Sequence, residues 1–211
     1  KCADIYYPVA PAPVDSNFTA MILDPVSGNI NNTVSFIGSS GSSVVYMSES
    51  AIYITYTYNE SMIKILSAFL KEKANDLAPK WLIDKMNKLE SYDISQNAKM
   101  MEMQTLWNKY LSSLDNDERL KVENELANRS SDYFKEHNRE LEKTGIVKIR
   151  LDDFTITASG NVPGSPLNQF SLDEYKNHLR IATTVSGQSL WFIGSIGRGE
   201  SVSDVYVLDN N

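Results

Sequence analysis

Val147-Lys148-Ile149-Arg150-Leu151-Asp152 alternates apolar and charged side chains and ends on Leu-Asp. In an extended chain, successive side chains point to opposite faces. Val147, Ile149 and Leu151 therefore share one face, and Lys148 and Arg150 the other. The stretch reads as a strand with one buried face, and it follows directly on a segment of a different kind.

That segment is 60–143. It holds none of the chain's ten glycines, a single proline (Pro79), and 30 of the 47 charged side chains. Apolar residues recur there at helical spacing: Met62, Ile65, Leu66 and Phe69; Leu82, Met86 and Leu89; Met103, Leu106, Trp107 and Tyr110; and Val122, Leu126, Tyr133, His137 and Leu141. The spacing predicts four helices, with breaks near Asn75, Tyr92 to Asp93, and Leu114 to Asn116. Asn59 and Asp76 are candidate caps, and Asp115 with Glu118 forms a capping-box pattern. Outside the block the period is two, and Ser43 to Tyr58 reads as two strands separated by Ser48 to Ser50.

With 60–143 set aside, two phrases recur. One is an apolar strand ending in Leu-Asp: Met21-Ile22-Leu23-Asp24, Ile149-Arg150-Leu151-Asp152 and Tyr206-Val207-Leu208-Asp209. The other is Ile52-Tyr53-Ile54-Thr55, matched by Leu179-Arg180-Ile181-Ala182. The first two Leu-Asp phrases and the two Ile-containing phrases give the same period of about 43 residues, and the surplus before Leu208 falls in Val185 to Ser201. A unit of that length with several short strands matches one propeller blade. The expected fold is mainly β with an α insertion: a partial β-propeller of about two to three blades. Its blades occupy 1–59 and 144–211, and the four-helix insertion occupies 60–143.

Length and charge narrow the class. A 211-residue chain with 42% apolar residues can bury an ordinary core. A formal charge of -7 argues against a nucleic-acid surface and against an anionic membrane face. No run approaches the roughly 20 apolar residues of a membrane helix. Cys2 is the single cysteine, so no intrachain disulfide forms. The chain opens with Lys1 and carries no signal sequence, which reads as a mature or trimmed fragment.

Asn161-Val162-Pro163-Gly164, Leu167-Asn168-Gln169-Phe170-Ser171-Leu172-Asp173-Glu174-Tyr175 and Leu179-Arg180-Ile181-Ala182-Thr183-Thr184 resemble the secreted C-terminal β-propeller family distantly related to WD repeats. Val45-Tyr46-Met47-Ser48, and Tyr92-Asp93-Ile94-Ser95 in the helical block, carry the same resemblance. It implies an exported or cell-surface protein of archaeal type, a propeller of uncharacterised activity, and no catalytic residues to carry over.

Candidate sites are few. Four Asn-x-Ser/Thr sequons, at Asn17, Asn31, Asn59 and Asn128, are candidate glycosylation sites. Trp81, Met100, Met103 and Trp107 are a candidate interaction surface, with helix-core packing as the competing role. His137 and His178 cannot assemble a zinc site and read as structural. Asp24, Asp152, Asp153 and Asp209 could offer oxygens to calcium, but without EF-hand spacing they read as turn formers. No cofactor or metal is expected. Gly194 to Gly199 lacks the Lys-Ser/Thr of a phosphate loop, and no serine sits in a Gly-x-Ser-x-Gly elbow.

The expected function is a noncatalytic extracellular or cell-surface binding or scaffold module, taking a protein or glycan ligand. The alternative is a glycan-directed hydrolase or lyase with carboxylates at the propeller channel. An incomplete propeller exposes a strand edge and a sheet face at each end, so self-association around Tyr6 and Val205 to Leu208 is expected.

Overall fold

The computed structural model describes residues 12–187 and 200–209. Among the described residues, nine strands and four α-helices run in the order β1 (Ser16–Leu23), β2 (Ile30–Gly38), β3 (Ser43–Met47), β4 (Ala51–Asn59), α1 (Met62–Lys73), α2 (Lys80–Glu90), α3 (Gln96–Leu111), α4 (Asn116–Leu141), β5 (Glu142–Arg150), β6 (Ile156–Pro163), β7 (Leu172–Tyr175), β8 (His178–Val185) and β9 (Val202–Asp209). Cys2, Tyr6 and the Gly194 to Gly199 loop lie outside the described residues.

The chain divides into two compact units, one holding all the strands and the other the four helices. The strands form three antiparallel sheets, β1-β2, β3-β4-β5-β6 and β7-β8-β9. The middle sheet is covered on both faces. Ile54, Tyr56, Val147 and Ile149 meet Phe36 and Phe18 of the first sheet. Tyr53, Ile146 and Val162 meet Leu172, Leu179 and Ile181 of the third. Double coverage explains why β4 reads as the near-continuous apolar run Ile52-Tyr53-Ile54-Thr55-Tyr56, while β1 and β9 alternate residue by residue.

The helical segment departs between the two central strands of the middle sheet. β4 and β5 pair along their whole lengths, from Ala51↔Arg150 to Asn59↔Glu142. The helices close a core of their own around Leu66, Phe69, Leu82, Met86, Trp107 and Leu126.

Two of the expected caps are placed differently. Asn59 ends β4, and Ser61 caps α1 by accepting from Lys64 N. Pro79 precedes α2 without a side-chain cap, and Asp76 accepts from the Arg129 guanidinium at 2.6 and 3.1 Å. The capping box before α4 is present: Glu118 N donates to Asp115 Oδ1 at 2.8 Å, and Asp115 N to Glu118 Oε2 at 3.3 Å.

The internal repeat is visible in the pairing, with one shift. Ser48–Ala51 and Tyr175–His178 each enclose a two-residue turn, so Ile52 and Leu179 are counterparts, as the sequence phrases have them. Lys176 and Asn177 take positive φ of 48° and 65°, as a tight hairpin turn demands. Ile52 pairs with Ile149 and Leu179 with Leu208. Leu23 pairs with Ile30 just past a bulge, and Ile149 pairs with Ile156 past an identical one. The structural equivalents are therefore Leu23, Ile149 and Leu208, and the Leu-Asp phrase aligns the middle sheet two residues out. A two-residue slip keeps every side chain on its face, so apolar pattern alone cannot detect it.

Candidate functional site

Strand alternation turns Lys148 of β5 to the same face as its register partner Tyr53, toward the third sheet. Lys148 Nζ lies 5.6 Å from the Tyr53 ring centroid and 3.9 Å from Glu174 Oε1 on β7. The two side chains are 12% and 9% exposed. At 3.9 Å the pair is a charge contact and not a hydrogen bond. Glu174 is held from the other side, because Ser50 Oγ donates to both carboxylate oxygens at 3.4 and 3.3 Å. Glu174 N donates to the Tyr46 hydroxyl at 3.1 Å, and Tyr46 stacks on Tyr53 at 5.9 Å. Two charges and two phenol rings are thus packed between sheets, where partial desolvation strengthens their interaction and raises the cost of leaving either charge unpaired.

Two clefts flank this pair. One, of about 300 Å³, runs between β5–β6 and β8–β9; its lining includes Tyr53, Lys148, Ala158, Gly160, Leu208 and Asp209. The other is an open depression of about 650 Å³ at the β3–β4 and β7–β8 turns, where Glu49 and Glu174 share a wall with Tyr46, Ser50 and Lys176.

The carboxylates held below the usual range are all tied to turns or to arginine. The Ser40 hydroxyl and N–H lower Asp15, and the Ser27 hydroxyl and Val26 N–H lower Asp24. Hydrogen bonds from Arg129 lower Asp76, and those from Arg150, with Thr155, lower Asp153. Asp24 and Asp153 close β-hairpins, as Asp does at strand ends. Burial, with Glu60 adding, pushes the Tyr58 hydroxyl up to about 12.

The four candidate surface residues separate. Met103 and Trp107 are each 1% exposed and lie in the helical core, and Met100 packs half-buried against it. Trp81 is 40% exposed, with Lys85 Nζ 5.9 Å from its ring. Met103 and Trp107 therefore form no open groove with Trp81. All four sequon asparagines are exposed. Asn17 and Asn31 lie on β1 and β2, and Asn59 ends β4. Asn128 sits within α4, where the Ser130 hydroxyl of its sequon is buried and bonded to Ala127 O.

His137 stacks on Tyr133 and bonds Glu140, and His178 bonds Asp209 and Lys176 O. Among the described residues, no three of His, Cys, Asp and Glu converge as a metal site would require, and no helix is long and apolar enough to cross a membrane.

The sequence reading missed Lys148 and Glu174. Lys148 was visible only as the polar residue of an alternating strand and Glu174 only within the phrase that carries the family resemblance, and sheet stacking is what brings them together.

Antiparallel sheets of up to four strands, stacked face to face with a repeating hairpin register, are the construction of a propeller. Residues 1–211 match the family described as a beta propeller domain, and the chain belongs to that family. An uncharacterized protein of Archaeoglobus fulgidus is 44% identical over 210 residues, covering 99% of this chain and 31% of its own length. An uncharacterized protein of Methanocaldococcus jannaschii is 32% identical over 214 residues, covering 99% of this chain and 33% of its own. The chain thus spans about a third of the length of the curated relatives it matches. No solved structure matches it.

Proposed function

We propose that the chain is a noncatalytic binding or scaffold module of an extracellular or cell-surface protein, whose sheets present the helical unit as a recognition surface. The observation that carries this reading is how the helices are attached. They leave and rejoin the middle sheet at the paired residues Asn59 and Glu142, and they close a core of their own. An excursion built this way adds surface without interrupting the sheet that bears it. Trp81, open on α2 beside Lys85, offers an aromatic face of the kind that stacks on a sugar ring or anchors a protein contact. The exposed sequon asparagines suit an exported protein.

The carboxylates with clear shifts support a structural role, since each is stabilised as an acceptor and none is tuned toward neutral pH. One observation favours a second reading, a glycan-directed hydrolase or lyase: Glu49 and Glu174 line the same open depression. A screen of ester, phosphate and glycoside substrates separates the two. The binding reading expects no turnover. Turnover abolished by Glu174→Gln or Glu49→Gln would establish the enzyme instead.

A further inference from the structure

Every exposed residue of α2 lies on one face of the helix. α2 buries Leu82, Met86 and Leu89, and its exposed residues are Lys80, Trp81, Asp84, Lys85 and Lys88. At about 100° of turn per residue, these five fill a contiguous arc of about 140°, with Trp81 between Lys88 and Lys85. The face carries three cations, one anion and an indole, on a chain whose formal charge is -7. Among the described residues, none of the three ammonium groups is in an ion pair. Trp81 is the unusual member. An amphipathic helix turns its large apolar side chains to the core, yet Trp81 stays 40% exposed while Leu82 beside it is completely buried. Lys85 Nζ stands 5.9 Å from the indole centroid, so a cation accompanies the open ring.

We propose that this face of α2 binds an anionic glycan whose sugar rings carry carboxylates, with one ring stacked on Trp81 and carboxylates placed at Lys85 and Lys88. This ligand class rests on the binding reading above and sharpens it. Charge complementarity selects an anion, and the indole selects what carries it: a sugar ring offers C–H groups to the aromatic face while its hydroxyls stay in water, which suits a ring that is only partly exposed. The cations are all lysines, compact and strongly hydrated, and α2 has no arginine to grip a phosphate with two parallel hydrogen bonds. The helical rise sets Lys88 about 10 Å along the axis from Trp81, which leaves room for a second sugar to follow the stacked one. A long phosphate polyanion needs a more extended basic surface than a chain of charge -7 provides.

The test measures binding of the 211-residue chain, by titration calorimetry, to polygalacturonate and to the same polymer with its carboxylates fully methyl-esterified. The charged polymer is expected to bind at least tenfold more tightly than the ester and to lose affinity as salt rises. Trp81→Ala should weaken it about tenfold. Lys85→Gln combined with Lys88→Gln should weaken it by a similar factor and flatten the salt dependence. Lys109→Gln, at an exposed position of α3, should change nothing. Unchanged ellipticity at 222 nm reports that the helices stay folded in each variant. Failure of the charged polymer to bind would overturn the proposal, as would affinity indifferent to Trp81→Ala or to the double lysine change. Equal affinity for single-stranded DNA would reduce the face to a general anion surface and equally overturn it. Equal affinity for the ester would also overturn it, while leaving recognition by the helical unit intact. Shortening of the polymer would contradict the noncatalytic reading instead, and the same affinities measured in Glu174→Gln would then decide the role of α2 independently.

Discussion

Asn59 and Glu142 face each other as a register pair at the end of β4 and the start of β5, although the entire helical segment separates them in the chain. Glu60, which follows Asn59, accepts through Oε1 from Nζ of Lys143, which follows Glu142, at 3.0 Å. The pairing of β4 with β5 therefore runs unbroken up to the point where the excursion leaves and returns. Loop-closure cost grows only slowly with loop length, so a long insertion here costs little more than a short one.

Separate cores predict separate losses. Leu66 is fully buried among the helices and Ile149 between the first two sheets. Each change to Ala should destabilise its own unit by about 2–5 kcal/mol. Leu66→Ala should shift the loss of helical ellipticity at 222 nm, whereas Ile149→Ala should shift the near-ultraviolet tyrosine signal of the sheets. In the double variant the two effects should add within about 0.5 kcal/mol.

Two glycines with positive φ separate backbone strain from crowding. Gly28 has φ 72° and open space where a methyl group would stand, while Gly164 has φ 77° and would bring a Cβ within 2.7 Å of Thr184 O. Gly164 also donates from N to Glu142 O and accepts from the Thr144 hydroxyl, tying the end of β6 to β5 within the middle sheet. Gly28→Ala should cost about 1 kcal/mol and Gly164→Ala clearly more, read as the difference in urea midpoints.

Much of the fold was legible before the structure. Glycine-free, charge-rich sequence marked the helices, since glycine is costly in helix interiors and charges solvate their outer faces. Alternation marked the strands. What period two could not supply was absolute register, and hence the two-residue shift at Leu151. The site was less legible. Lys148 and Glu174 are ordinary strand positions in sequence, and Trp107 and Met103 fit a helix core as well as a surface until the packing partners are known.

Acid and alkali should act through different groups. Asp15, Asp24, Asp76 and Asp153 sit below the ordinary carboxylate value in the fold. Their contribution is complete above about pH 4 and is lost as pH falls through their folded values. Tyr58 is raised to about 12, so its contribution is complete below about pH 10 and is lost as pH rises through about 12. The melting temperature should be flat between, falling on both sides. Asp153→Asn should lessen the acid limb alone, and Tyr58→Phe the alkaline limb alone.

The third sheet leaves Val205 and Val207 exposed on β9, opposite Ala182 and Arg180. The first leaves Met21, Leu23 and Ile30 exposed. Such apolar faces associate. Light scattering of the 211-residue chain across a dilution series should show a mass that rises with concentration, and Val205→Lys with Val207→Lys should hold it monomeric. A monomer at every concentration would show that these faces do not drive association.

The most direct measurement replaces Ser61–Leu141 with a short Gly/Ser linker joining Glu60 to Glu142. If the helices are carried by the sheet and do not form part of it, the shortened protein keeps its β circular dichroism and unfolds in one cooperative transition with little change in midpoint. Loss of the cooperative transition would mean that the helical unit is part of the fold's core, and would contradict the account of this chain as a propeller segment that displays it.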